Sequence, residues 1–274
     1  VSDRRLTPAN DRVAAAHLAD AAPGLARVTG IPMQVTRPVA DLCRAPGGAR
    51  DRQLLWGETV DIYETRAGHS FLQARKDGHV GYLDSAALIP AQAATHWVEA
   101  PACHVYEAAS IKSPDRLSLS FGSRIGALAE HETFVETAEG FIPRQHLREI
   151  GETMDDPVDV ATLFLGTPYL WGGNSRWGID CSGLVQWALI ACGQPCPGDS
   201  DLQKASLGHD VSDPADLRRG DLLFWPSHVA MVVDRTTLIH SNGGYMITMY
   251  EPIRTTIARI EAQGEAPVTA HKRL

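Results

Sequence analysis

The sequence predicts a mixed α+β domain preceded by two small β-barrels, and three observations carry that expectation. Residues 36–150 consist of short apolar runs separated by Gly, Asp and Pro, a pattern of brief strands joined by turns. Two halves of that region resemble one another, the mark of a tandem unit. After Gly151 the spacing becomes helical and then gives way to a series of β-rich runs, which places helices against an antiparallel sheet.

Residues 1–35 read as an N-terminal arm. Its alanine-rich run, Val13-Ala14-Ala15-Ala16-His17-Leu18-Ala19, predicts a short helix broken by Gly24 and by Gly30-Ile31-Pro32. The first barrel is expected over 36–90 and the second over 91–150, with Ile89-Pro90-Ala91-Gln92 between them. Each half starts near a cysteine (Cys43, Cys103) and has an aromatic–glycine pair entering one strand (Trp56-Gly57, Phe121-Gly122). Each then has a glycine–aromatic pair entering another (Gly81-Tyr82, Gly140-Phe141). Similar places in the two repeats make Cys43 and Cys103 packing residues.

The third segment, 151–274, opens with Asp156-Pro157, a cap followed by proline at the first helical position. The apolar run Val158–Leu165 follows and Gly166-Thr167-Pro168 stops it. A glycine-punctuated loop, Tyr169-Leu170-Trp171-Gly172-Gly173, leads to a second helix starting at Cys181. Leu184, Val185, Ala188 and Leu189 share one face of it, and Gly193 and Pro195 lie past its end. Strands are expected at 222–225, 229–233, 237–240 and 246–250.

Composition narrows the function classes. Hydrophobic residues make up 44% of the 274 and charged residues 21%, enough apolar material for cores without staples. A net charge of −8 and the lack of a Lys/Arg run argue against a general nucleic-acid binder. No stretch has the length of a membrane-spanning helix. Val1-Ser2-Asp3-Arg4-Arg5 is not followed by an apolar signal core, so a cytoplasmic protein is expected, or a periplasmic or secreted one if a leader precedes residue 1. Five cysteines, an odd count, do not suit a disulfide framework. Cys192 and Cys196 lack a matching His or Cys pair, so no metal is expected.

Cys181 is the thiol with a chemical setting. Asp180 is a natural N-cap, which puts the cysteine in a first helical turn, where the helix dipole and open N–H groups favour an anion. A small buried cysteine at a helix start is the plain structural reading. A nucleophilic thiolate needs a base held by a third polar group. His228 opens one tail strand and His240 ends the next, and neighbouring antiparallel strands can bring both to one end of a sheet. Each alone is an ordinary histidine; with a helix-start cysteine they form a candidate base and orienter.

At this point the sequence resembles a family. Pro168-Tyr169-Leu170-Trp171-Gly172-Gly173, Asp180-Cys181-Ser182-Gly183-Leu184-Val185, Gly220-Asp221-Leu222-Leu223-Phe224, His228-Val229 and Ile239-His240-Ser241 occur in the order found in the papain-like NlpC-type cell-wall cysteine peptidases. The upstream barrels resemble bacterial SH3-like domains. The resemblance implies hydrolysis, with no cofactor, of an amide bond in peptidoglycan stem peptides. The nearest subgroup is the γ-D-glutamyl-L-diamino acid endopeptidases, which act on L-Ala-γ-D-Glu-diamino acid peptides with a free L-Ala end. It implies Cys181, His228 and His240 as the triad and Tyr169 near the oxyanion. Trp171, Asp180 and Ser182 would line the cleft, and Asp199-Ser200 would form a loop contact to substrate. In that subgroup the first SH3-like domain caps the cleft, and Glu58 and Tyr82 match the contacts to the amino end; the plain reading is a solvated strand residue and a core aromatic. Phe141 replaces the tyrosine in the second repeat. Ser227 stands where many relatives have glycine, directly before the base. A papain-like acyltransferase and a non-catalytic wall-binding protein are the alternatives.

Overall fold

The computed structural model describes residues 3–18, 24–264 and 266–274, and the chain divides into two compact units, 1–151 and 152–274.

The first unit begins with a parallel pair, β1 (Val13–Ala15) and β2 (Ala26–Val28). Val13–Ala15 of the alanine-rich run predicted as a helix is therefore a strand, with Ala16 and His17 in a turn; Ala19, like Val1 and Ser2, lies outside the described residues. Helix propensity is a weak preference that packing overrides, and Val13 and Ala15 are buried in a cluster with Tyr63, Phe71 and Val80. Arg12 fastens this segment to Glu64 through two hydrogen bonds of 2.8 Å.

A seven-stranded antiparallel sheet follows, built from β3 (Ile31–Val35), β4 (Val39–Cys43), β5 (Arg50–Leu55), β6 (Thr59–Arg66), β7 (His69–Ala74), β8 (Val80–Asp84) and β9 (Leu88–Pro90). Its order is β5-β4-β8-β7-β6-β3-β9. Ile31–Val35, counted with the arm in the sequence reading, belongs to this sheet because it pairs with both β6 and β9. The second half contains β10 (His96–Val98), β11 (Ala102–Tyr106), β12 (Asp115–Ser120), β13 (Arg124–Ile125), β14 (Ala127–Glu130), β15 (Phe134–Thr137), β16 (Gly140–Pro143) and β17 (Leu147–Glu149). They form the sheets β12-β11-β16-β15-β14 and β13-β10-β17, the first plan with its long β6 split in two.

Register corrects one sequence expectation. Cys43 lies opposite Tyr82, after a bulge at Leu42/Cys43. Its counterpart opposite Phe141, after the bulge at Val105/Tyr106, is Tyr106 and not Cys103. Cys103 instead matches Ala40; both are buried core residues, while Cys43 is half-buried.

In the second unit Asp156 accepts a hydrogen bond from Val158 N at 2.7 Å and starts α1 (Pro157–Thr162), which gives way to turns before Gly166. The hairpin β18 (Asn174–Ser175) and β19 (Gly178–Ile179) precedes α2 (Cys181–Ala191) and α3 (Ser200–Ser206). Then come β20 (His209–Asp210), β21 (Leu222–Trp225), β22 (His228–Val232), β23 (Thr237–Asn242), β24 (Ile247–Pro252), α4 (Ile253–Ala262) and β25 (Ala270–Arg273). The six-stranded sheet runs β20-β25-β21-β22-β23-β24, antiparallel throughout. Helix α2 packs against α1, β22 and β23, and nearly every residue of it is buried. Helix α4 sets Ile253, Ile257 and Ile260 against Trp225, Ala230 and Leu238.

The terminal strand β25 is secured by a buried carboxylate. Asp221 accepts from His271 Nε2 at 2.7 Å and from Arg273 Nε and Nη2 at 2.9 and 2.8 Å. Burial opposes its ionisation, but Arg273 and His271 outweigh burial and hold the carboxyl below its ordinary range. Among the described residues no helix is long and apolar enough to cross a membrane.

Candidate active site

Cys181 is the first residue of α2 and is buried, 6% exposed. Asp180 is its N-cap: Oδ1 accepts from Gly183 N at 2.6 Å and from Ser182 Oγ at 2.9 Å, while Oδ2 accepts from Gly172 N at 3.0 Å. One carboxylate thus caps the helix and anchors the loop before it. The glycines are required by this close approach. Gly172 has φ of +69°, a region that favours glycine, and a Cβ on Gly173 would stand 2.5 Å from Gly178 O. At the helix head the dipole favours a thiolate. The other thiols lack this setting: burial pushes Cys103 up to about 12 and Cys192 up to about 11, and raises Cys43.

The antiparallel register, Met231 opposite Ile239, makes His228 and His240 diagonal neighbours on one sheet face. Their rings meet with His228 Nε2 2.9 Å from His240 Nδ1 and centroids 5.1 Å apart. Trp225 lies beside His228, with ring centroids 5.6 Å apart. His240 is fully buried and sits inside β23, two residues before its end. Both imidazoles are held neutral: burial, reinforced by His240 and Arg259, lowers His228 to about 3. Burial and Arg259 lower His240 to about 4 against the opposing pull of Glu251.

His228 opens onto a cavity of about 200 Å³ bordered also by Tyr169, Trp171, Ser227, Asn242 and Arg259. Burial raises the Tyr169 phenol, and the charges of Cys181 and Asp180 raise it further. Tyr169 thus borders the cavity that holds the histidine and lies within electrostatic reach of the helix head; Cys181 itself is not among the residues lining that cavity. Trp171 is 67% exposed at the rim.

The remaining residues singled out in the sequence lie elsewhere. Asp180 and Ser182 are buried and bonded to each other, and neither borders this cavity. Asp199 and Ser200 form the start of α3 and are half-buried. Glu58 and Tyr82 belong to the first unit. Glu58 is buried, and its Oε1 accepts from Lys76 Nζ at 2.8 Å and Leu55 N at 3.2 Å, so it is not a solvated strand residue. Tyr82 packs on Phe71, centroids 5.1 Å apart, and its hydroxyl accepts from Asn10 Nδ2 at 3.3 Å.

The sequence reading missed three side chains behind the histidines. Glu251 Oε2 lies 3.1 Å from His240 Nε2. Arg259 grips Glu251 through Nε at 3.1 Å and Nη2 at 2.8 Å. Asn242 Nδ2 approaches His240 Nε2 at 3.2 Å. The spacing of Ile253, Ile257 and Ile260 is a signal of an amphipathic helix that the sequence reading did not use, and nothing local ties Arg259 to Glu251.

Comparison with known proteins finds similarity in both units. Residues 166–260 match the NlpC/P60 family, and residues 42–88 match the bacterial dipeptidyl-peptidase SH3 domain. The chain is similar to dipeptidyl-peptidase 6 of Lysinibacillus sphaericus, 33% identical over 100 residues, covering 36% of each protein. It is 29% identical over 160 residues to the gamma-D-glutamyl-L-lysine dipeptidyl-peptidase of Bacillus subtilis (strain 168), covering 53% of this chain and 52% of that protein. The chain thus spans between about a third and a half of the length of these two relatives. An NlpC/P60 family protein from Bacillus cereus shares the fold, with a TM-score of 0.74 at 20% identity, covering 88% of this chain and 99% of that one.

Proposed function

We infer that this chain, which belongs to the NlpC/P60 family of cysteine peptidases and carries an SH3-like domain upstream, hydrolyses the γ-D-glutamyl–diamino acid bond of peptidoglycan stem peptides. The observation that supports this most is the buried histidine pair opening on the cavity bordered by Tyr169. Similarity to the Bacillus subtilis gamma-D-glutamyl-L-lysine dipeptidyl-peptidase supports the choice of bond.

In the reaction we propose, the Cys181 thiol gives its proton to His228 and the sulfur attacks the γ-glutamyl carbonyl. The N–H of Cys181 and the Tyr169 hydroxyl stabilise the oxyanion. His228 returns the proton to the leaving amine, leaving a thioester, and then takes a proton from the water that hydrolyses it. His240 orients His228. Trp171 offers a face to the substrate at the rim, and Asp180 and Ser182 act by holding the helix head. Asp199 and Ser200 are proposed as contacts to the peptide, and Glu58 and Tyr82 as the recognition of a free L-Ala amino end. Glu58 Oε2 is buried without a hydrogen-bond partner among the described residues, which supports an ammonium ligand there. Residues 91–150 are read as a second SH3-like barrel, supported by their shared strand order.

Mass spectrometry of products from L-Ala-γ-D-Glu-diaminopimelate tests the reading. Release of the L-Ala-γ-D-Glu dipeptide, lost in Cys181→Ala, is expected. Acyl transfer to an added amine in place of water, or full turnover by Cys181→Ala, would overturn it. Acetylating the L-Ala amine should slow cleavage; equal rates would remove Glu58 and Tyr82 from recognition.

A further inference from the structure

We propose that Glu251 and Arg259 act together as positioning residues that fix which nitrogen of each active-site histidine carries the proton, so that His228 presents a bare Nδ1 to the nucleophile. This rests on the reading of Cys181 and His228 as nucleophile and base.

The argument starts at the buried end. Glu251 is 4% exposed; burial opposes its ionisation, but Arg259 outweighs burial and keeps the carboxyl below its ordinary range. An ionised carboxylate is an acceptor only. His240 Nε2, 3.1 Å from Oε2, must then carry a proton, because two lone pairs at that distance repel. Asn242 competes for that nitrogen. Its Oδ1 accepts from Gly244 N at 2.6 Å, so its NH2 faces both His240 Nε2 at 3.2 Å and Glu251 Oε2 at 3.5 Å; the ionised carboxylate, the stronger acceptor, takes the amide proton and the Nε2 proton alike.

With its proton on Nε2, neutral His240 has only a lone pair at Nδ1. His228 Nε2, 2.9 Å away, is therefore the donor between the two rings. A neutral His228 with its proton on Nε2 has an unprotonated Nδ1, the form able to take a proton from a thiol. The order reads carboxylate, Nε2–H, Nδ1, Nε2–H, Nδ1, and one choice at Glu251 sets every member.

Arg259 guards against the competing state. A buried carboxylate facing an imidazole alone would favour an imidazolium. That His240 would donate from Nδ1 and force the His228 proton to the wrong nitrogen. The guanidinium already balances Glu251, so a second buried cation finds no countercharge. Arg259 also stacks on Tyr245, 5.1 Å from the ring centroid, which fixes its approach to Glu251.

Nitrogen-15 NMR of the imidazoles in Cys181→Ala protein near neutral pH reads the arrangement directly. One proton on each ring, on Nε2, is expected. A proton on His228 Nδ1, or a doubly protonated His240, would overturn the proposal. In the enzyme, Glu251→Gln should lower kcat about 10²-fold with KM changed less than about twofold, less than the loss of about 10⁴ for a carboxylate that touches the base directly, because His240 stands between Glu251 and His228. Arg259→Met should move the acidic limb of the kcat–pH profile to higher pH, and Arg259→Lys should restore much of it. A folded Glu251→Gln with unchanged kcat would also overturn the proposal. If that variant does not fold, the spectrum of Cys181→Ala decides. If the wild type is inert on γ-glutamyl peptides, the functional reading fails while the spectrum still judges the proton arrangement.

Discussion

Two buried sites in the second unit use the same three kinds of side chain. At one, Asp221 joins His271 and Arg273; at the other, Glu251 joins His240 and Arg259. Both carboxylates are nearly inaccessible, and both take a histidine Nε2 and a guanidinium. The difference lies in the other imidazole nitrogen. His271 Nδ1 is buried with no hydrogen-bond partner among the described residues, so its network stops there and fastens β25 to β21. His240 Nδ1 reaches His228, which opens on a cavity. Equal chemistry makes a fastener in one place and a relay in the other, according to where the ring points.

Removing the rings separates the two roles most sharply. His228→Ala should lower turnover by at least about 10³-fold, and His240→Ala by about 10² to 10³-fold, as for members of a nucleophile–base set. His271→Ala should leave kcat within about twofold. A comparable loss from His271→Ala, measured on the same peptide, would erase the distinction.

The carboxylate of the fastener provides the next contrast. Asp221→Ala leaves the buried His271 Nε2–H without its acceptor, while Arg273 keeps Asp216, and should cost about 1–3 kcal/mol in chemical denaturation, with kcat per folded molecule unchanged. A cost under about 1 kcal/mol would show that β25 is held by its strand pairing instead.

Acid should weaken the relay. His228 and His240 titrate at about 3 and about 4 in the folded chain, below the ordinary value near 6.5. The unfolded state binds more protons between these values, so this contribution is complete above about pH 6.5 and is lost as pH falls toward 4 and 3. Thermal unfolding followed across that range should show it, with a shallower slope in His228→Gln. An identical slope would mean the ring is solvated. The smallest effect is expected from Ser227→Gly, which trims a side chain at the cavity edge and should change kcat/KM less than about threefold.

Local chemistry was legible where it sufficed to fix structure. The cap at Asp180, the periodicity of 184–189 and the stop at Gly193 marked α2 without reference to the rest of the chain. The strands β21–β24 were visible as apolar runs bounded by turn residues. Val13–Ala15 misled because alanine favours helices, while its actual state depends on pairing with Ala26–Val28 and packing on Tyr63 and Phe71. The counterpart of Cys43 was misjudged because a bulge shifts register by an amount that spacing does not reveal. Glu251 and Arg259 stayed hidden for the same kind of reason. Their meeting with His240 depends on the register of β23 with β24, Leu238 opposite Glu251, and on the return of α4 over that face.

The double duty of Asp180 has a practical corollary for inhibitor chemistry. Because one side chain ties the tyrosine loop to the head of the Cys181 helix, a compound entering this pocket meets a loop that is already anchored. A compact electrophile should therefore keep most of its intrinsic binding free energy, and enlarging it to clamp the loop should gain little.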